Sequence, residues 1–123
     1  MRRLKKLLAG AGFVVDEMAY VAKSQDGFQF IVWPYDKPQF PPHFHVYFVN
    51  VKPTRGNTVA TVKIPSKCPA HKGELEIALR LSHGASVSNI RDAVWDWLKV
   101  NPMVRWQEIK FLWNAQNPQN KVL

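Results

Sequence analysis

The chain has one cysteine, Cys68, in 123 residues. No intramolecular disulfide can form, nothing requires an oxidising compartment, and the cytoplasm is the default expectation. Acidic residues are also scarce, with 9 Asp and Glu against 17 Lys and Arg and a formal charge of +8. Such a balance attracts polyanions at long range, which points to RNA or DNA first and to an acidic protein partner second. No apolar run approaches the roughly 20 residues that a bilayer-spanning helix needs, so no membrane association is expected. A phosphate-cradling glycine loop is missing, and no Ser-His-Asp order stands in a recognisable context, which argues against nucleotide hydrolases and serine hydrolases.

The first residues have some features of a signal peptide, since Arg2, Arg3, Lys5 and Lys6 precede a short apolar run. Gly10 and Gly12 interrupt that run and Asp16 and Glu17 follow it at once. With Leu4, Leu7 and Leu8 at helical spacing, the segment fits a short basic helix over residues 2 to 9, ended by glycine.

Apolar residues make up 46% of the chain and aromatics 12%, with five tryptophans. That is the composition of a chain that folds, and its length suits one compact domain over residues 1 to 123. Neither a linker nor an internal repeat interrupts it. From Phe13 the pattern turns extended: residues 14 to 22 and 28 to 33 flank Asp26-Gly27, a pair suited to the positive φ angles of a tight hairpin. The four prolines between Pro34 and Pro42 predict a stiff surface loop, because each removes a ladder donor. Residues 43 to 50 and 58 to 64 predict a second hairpin across a turn through Pro53, Arg55, Gly56 and Asn57. In residues 74 to 81, Leu75, Ile77, Leu79 and Leu81 alternate with polar or small residues, predicting a strand with one buried and one wet face. Beyond His83, read as a turn residue before Gly84, the period becomes helical. Ser86 or Ser88 can cap a helix carrying the stripe Val87, Ile90, Val94, Trp97 and Leu98. Asn101 and Pro102 open another, with Met103, Trp106, Ile109 and Trp113 on its apolar stripe.

The segment Pro41-Pro42-His43-Phe44-His45-Val46-Tyr47-Phe48 carries the most pointed chemistry. In a strand, His43, His45 and Tyr47 share one face and Phe44, Val46 and Phe48 the other, which is the obvious core face. Two imidazoles beside a phenol suit acid–base cleavage of RNA. One ring would take the 2′-hydroxyl proton and the other protonate the leaving oxygen. Lys63 or Arg80, on neighbouring strands, would stabilise the phosphate charge. The competing reading is structural, with the histidines hydrogen-bonding backbone and loop groups.

A weaker alternative is a metal site of His43, His45, Cys68 and His71, although closed zinc sites are usually richer in cysteine; no cofactor is expected. On the first C-terminal helix Trp95 lies four residues from both Arg91 and Lys99. An aromatic between two cations can stack a nucleobase or dock a partner, or the tryptophan can pack on the neighbouring helix with the cations along its edges.

The Pro-Pro-His-Phe-His-Val segment resembles the bacterial domain of unknown function 4160 family. The likeness takes in the strand over residues 58 to 64, the step Gly73-Glu74-Leu75, and Ala93-Val94-Trp95-Asp96-Trp97 with Trp113 beyond it. It implies a small bacterial protein of toxin–antitoxin type. The chain departs from that pattern in its basic N-terminal segment and its longer turn at residues 50 to 57. Its start, with Lys5-Lys6-Leu7-Leu8 and Gly12-Phe13, is similar to that of the HicA-type mRNA interferases, but their Gly-Ser-His step is missing and their mechanism does not transfer.

The expectation is an α+β domain: a short N-terminal helix, an antiparallel sheet of about four or five strands, and two C-terminal helices packed on one sheet face. The leading functional expectation is the toxin component of a toxin–antitoxin-like module, a metal-independent endoribonuclease using His43, His45 and Tyr47. Its rival is a non-catalytic module that binds nucleic acid or an acidic partner such as an antitoxin. Exposed aromatics leave a homodimer open.

Overall fold

The structure, a computed structural model, describes residues 18–34, 40–81 and 84–123. Five strands form one antiparallel meander in the order β1 (Ala19–Gln25), β2 (Phe28–Val32), β3 (His43–Phe48), β4 (Ala60–Lys63) and β5 (Ile77–Leu79). Two helices follow, α1 (Val87–Leu98) and α2 (Pro102–Gln116). The expected architecture needs one correction: the helices are both C-terminal, after the sheet, and no N-terminal helix occurs among the described residues. The helix expected over residues 2 to 9 and the strand start expected at Val14 lie outside the described residues, as does His83.

The β1–β2 turn forms as its chemistry dictates: Asp26 and Gly27 both take positive φ, 52° and 88°, the two-residue hairpin geometry whose twist matches the flanking strands. Phe30, Phe44, Val46, Ala60 and Val62 point to one face and form the main core with Ile90, Ala93, Val94 and Leu98 of α1 and Trp106, Ile109 and Trp113 of α2. Ser86 caps α1, its hydroxyl accepting from the Asn89 amide at 3.1 Å. Pro102 opens α2, yet the Asn101 side chain makes no cap bond.

Two further expectations are corrected. β5 is shorter than its alternation suggests, because residues 72 to 74 form a 3-10 turn. Leu75 is buried, but Leu79 and Leu81 are 37% and 38% exposed, as the strand lies at the sheet edge and the helices do not cover its far end. Met103 does not continue the buried stripe of α2; it is 64% exposed, in the first turn.

After α2 the chain turns back over the end of the sheet. The buried Asn117 amide donates to the Trp33 carbonyl at 3.0 Å, Asn114 exchanges two bonds with the Val122 backbone, and Asn120 donates to the Phe40 carbonyl at 2.8 Å. These bonds hold Trp33 and Phe40, the latter next to the start of β3; most of the expected proline loop, residues 35–39, lies outside the described residues.

Candidate functional site

Opposite the phenylalanine face, β3 presents His43, His45 and Tyr47, as alternation requires. Their cross-strand partners are Lys63 for His43, Thr61 and Ile31 for His45, and Gln29 for Tyr47. This face is not open to water throughout. Tyr47 is fully buried with Ile31 and Trp33 in a second apolar cluster, and His45 is only 9% exposed. His43, at the strand start, is partly exposed.

The polar atoms on this face form one connected chain. Trp33 Nε1–H donates to the Tyr47 hydroxyl at 2.7 Å, the Tyr47 and Thr58 hydroxyls lie 3.1 Å apart, and Thr58 Oγ1 is 2.9 Å from His45 Nδ1. The other nitrogen of His45, Nε2, is 3.2 Å from His43 Nε2, and His43 Nδ1 donates to the Pro41 carbonyl at 2.8 Å. All four ring nitrogens thus have protein partners. Packing holds the rings as well: His43 lies 4.9 Å from His45 and 5.4 Å from Trp113 between centroids, and Tyr47 stacks on His45 at 6.2 Å. Arg55 closes the far end, its guanidinium 4.7 Å above the Trp33 ring and donating to the Pro34 carbonyl at 2.8 Å.

On the side of His43 away from this chain, a pocket of about 350 Å³ opens between β3, β4 and β5, lined among others by Phe40, His43, Thr61, Lys63, Glu76 and Arg80. That volume lies at the lower end of the range of small-ligand pockets. Lys63 pairs with Glu76 at 3.1 Å, both side chains being more than half exposed, a pair that an anionic ligand can compete for at little cost. Phe40 is 47% exposed at the rim. A larger cavity of about 650 Å³ lies along α2 and β1, lined by Tyr20, Met103, Val104 and Phe111 among others; its walls are mainly apolar and none of the catalytic, binding or metal candidates read from the sequence lines it.

The remaining sequence candidates are placed elsewhere. Arg91 and Trp95 lie on α1 and Lys99 is its C-cap; the helix packs on the opposite, phenylalanine face. Trp95 is half-buried against the core, Arg91 donates to the Leu75 carbonyl at 3.2 Å, and Lys99 pairs with Asp96 at 3.1 Å. The Lys99 ammonium, hydrogen-bonded to it, holds the Asp96 carboxyl below its ordinary range. Cys68 and His71 are not brought to the histidine pair: the thiol contacts the Pro69 and Pro102 carbonyls and His71 lies 3.4 Å from Glu74. No group of three or more metal-ligating side chains assembles among the described residues, so the four-residue metal alternative is not formed by them. Nor is any helix among them long and apolar enough to cross a membrane.

Contributors not singled out from sequence include Phe40, Thr58, Thr61, Trp33 and Glu76. Register could have found Thr61, which faces His45 directly; Thr58 and Trp33 reach the site through turns that alternation does not encode. No protein-family model, curated protein or solved structure matches the chain.

Proposed function

We propose that this domain binds single-stranded nucleic acid, RNA in the first instance, in the pocket beside His43, and that His43 and His45 are architectural. The observation that carries this reading is the hydrogen-bonding state of the two rings. Each nitrogen is engaged inside the protein, and His45 is buried behind His43. A general base needs a free lone pair within reach of the proton that it removes. Beside these rings stand two cations, Lys63 and Arg80, and an exposed aromatic, Phe40. Cations that track phosphates and a ring on which a base can stack are the parts of a single-strand binding site. The formal charge of +8 adds long-range attraction. Within the toxin–antitoxin setting that the Pro-Pro-His-Phe-His resemblance implies, this is the part of a binding component.

A second reading, the ribonuclease, draws on one observation: His43 lines the same pocket as Lys63 and Arg80. Incubating a labelled single-stranded RNA with wild-type protein and with the His43→Ala, His45→Ala double variant separates the two. Binding without cleavage is expected, with the double variant melting at lower temperature and binding in proportion to its folded fraction. RNA degraded by wild type and left intact by an equally folded double variant would establish the ribonuclease instead.

A further inference from the structure

A site that held phosphates alone would have no use for a carboxylate, yet the pocket beside His43 contains one. Glu76 lines it together with Lys63, Arg80 and Phe40. The Glu76 carbonyl accepts from the Lys63 amide at 3.0 Å, so strand pairing fixes where the residue stands, and its carboxylate meets the Lys63 ammonium at 3.1 Å. That ion pair exhausts neither group. The two side chains are 62% and 52% exposed, and a carboxylate has about four lone-pair sites with which to accept. A pair exposed to this degree contributes little, so a phosphate can draw the lysine away. What then remains is an acceptor-only group in the same pocket as an exposed ring on which a base can stack.

We infer that Glu76 gives the pocket a preference for guanine, its carboxylate accepting from the Watson–Crick edge of a base stacked on Phe40. The inference rests on the proposed single-strand binding and names the base that this site takes. Guanine alone among the four bases offers two neighbouring donors on that edge, N1–H and the 2-amino group, which together match the two oxygens of one carboxylate. Adenine and cytosine each set one amino group beside a ring nitrogen whose lone pair would face the second oxygen. Uracil sets a single N–H between two carbonyls. In single-stranded RNA this edge is exposed and can be read. The work divides as it does at other nucleic-acid sites: Lys63 and Arg80 take phosphates and position the strand, while Glu76 specifies the base. Because Glu76 is largely exposed, water can stand in for a missing donor. Discrimination is therefore several-fold, well short of what a buried polar site achieves.

The test is made on the full chain by fluorescence anisotropy, with a labelled oligouridine and with versions that carry guanosine, inosine or adenosine at one central position. Wild type is expected to bind the guanosine version several-fold more tightly than the plain oligouridine or the adenosine version. Inosine, which keeps N1–H and lacks the 2-amino group, is expected to lose most of that gain. Glu76→Gln replaces one acceptor oxygen with a donor at an exposed position, so the variant is expected to fold. Without the negative charge it is expected to bind plain oligouridine at least as tightly as wild type, and to show no preference for guanosine. Equal wild-type affinity for the guanosine and adenosine versions, or a folded Glu76→Gln protein that keeps the preference, would overturn the inference and leave single-strand binding in place. Binding of none of these oligonucleotides by wild type would overturn the binding role, and the inference with it.

Discussion

Tyr47 stands at the middle of the polar chain, fully buried, with the Trp33 indole donating to it. Replacing it with Phe keeps the ring and removes the oxygen, leaving a buried N–H without an acceptor. Such a group costs about 1–3 kcal/mol. Chemical denaturation of Tyr47→Phe is expected to show a loss of that size; a loss near zero would mean that the indole finds water instead. Cys68 makes a different point at the same scale. Burial pushes its thiol above the ordinary value, outweighing the lowering effect of Lys110. The folded protein therefore holds this proton more tightly than the unfolded chain does. Its stabilising effect is full below the ordinary thiol range and is lost as pH rises through the raised value. Iodoacetamide is expected to alkylate native Cys68 several-fold more slowly than the urea-unfolded chain at slightly alkaline pH, since the thiolate is the reacting species. Equal rates would show an unperturbed thiol.

Among the elements, α2 shows where periodicity succeeds and where it stops. Its spacing places Trp106, Ile109 and Trp113 in the core, but it assigns Met103 to the same stripe, although the first turn extends past the surface that buries the others. Ile109→Ala is expected to cost about 2–5 kcal/mol, as for other buried aliphatic truncations. Phe111→Gln, at a position 71% exposed, is expected to change stability by no more than about 0.5 kcal/mol. Comparison of their thermal unfolding checks the assignment of faces. The hairpin at Asp26-Gly27, the two faces of β3 and the serine cap of α1 were all legible, because each follows from local chemistry or a period of two. β5 was legible as a strand but not in its extent or burial. An edge strand has a core face only as far as the helices reach, and sequence does not record that reach. The association of Arg91, Trp95 and Lys99 with a binding site was read from helical spacing alone; tertiary placement puts them on the opposite face from His43.

The molecule as a whole divides its two sheet faces between tasks. One face carries the core beneath both helices, and the other carries a buried polar chain that ends at a basic pocket. The grouping of His43 with Lys63 was legible because they are cross-strand neighbours, whereas Phe40, held by Asn120 from the C-terminal segment, comes from contacts remote in sequence. A site that uses Lys63 and Arg80 for phosphates has a distinct electrostatic signature. Each phosphate neutralised on a single strand contributes about −0.7 to the slope of log affinity against log salt. The most direct measurement is that slope, from anisotropy titrations of a labelled single-stranded RNA over a range of salt concentrations, for wild type and for the Lys63→Ala, Arg80→Ala double variant. The account predicts weaker binding by the variant and a slope shallower by about 1.4, the equivalent of two phosphates. An unchanged affinity and slope in a folded double variant would contradict it and place RNA binding, if any is measured, away from this pocket.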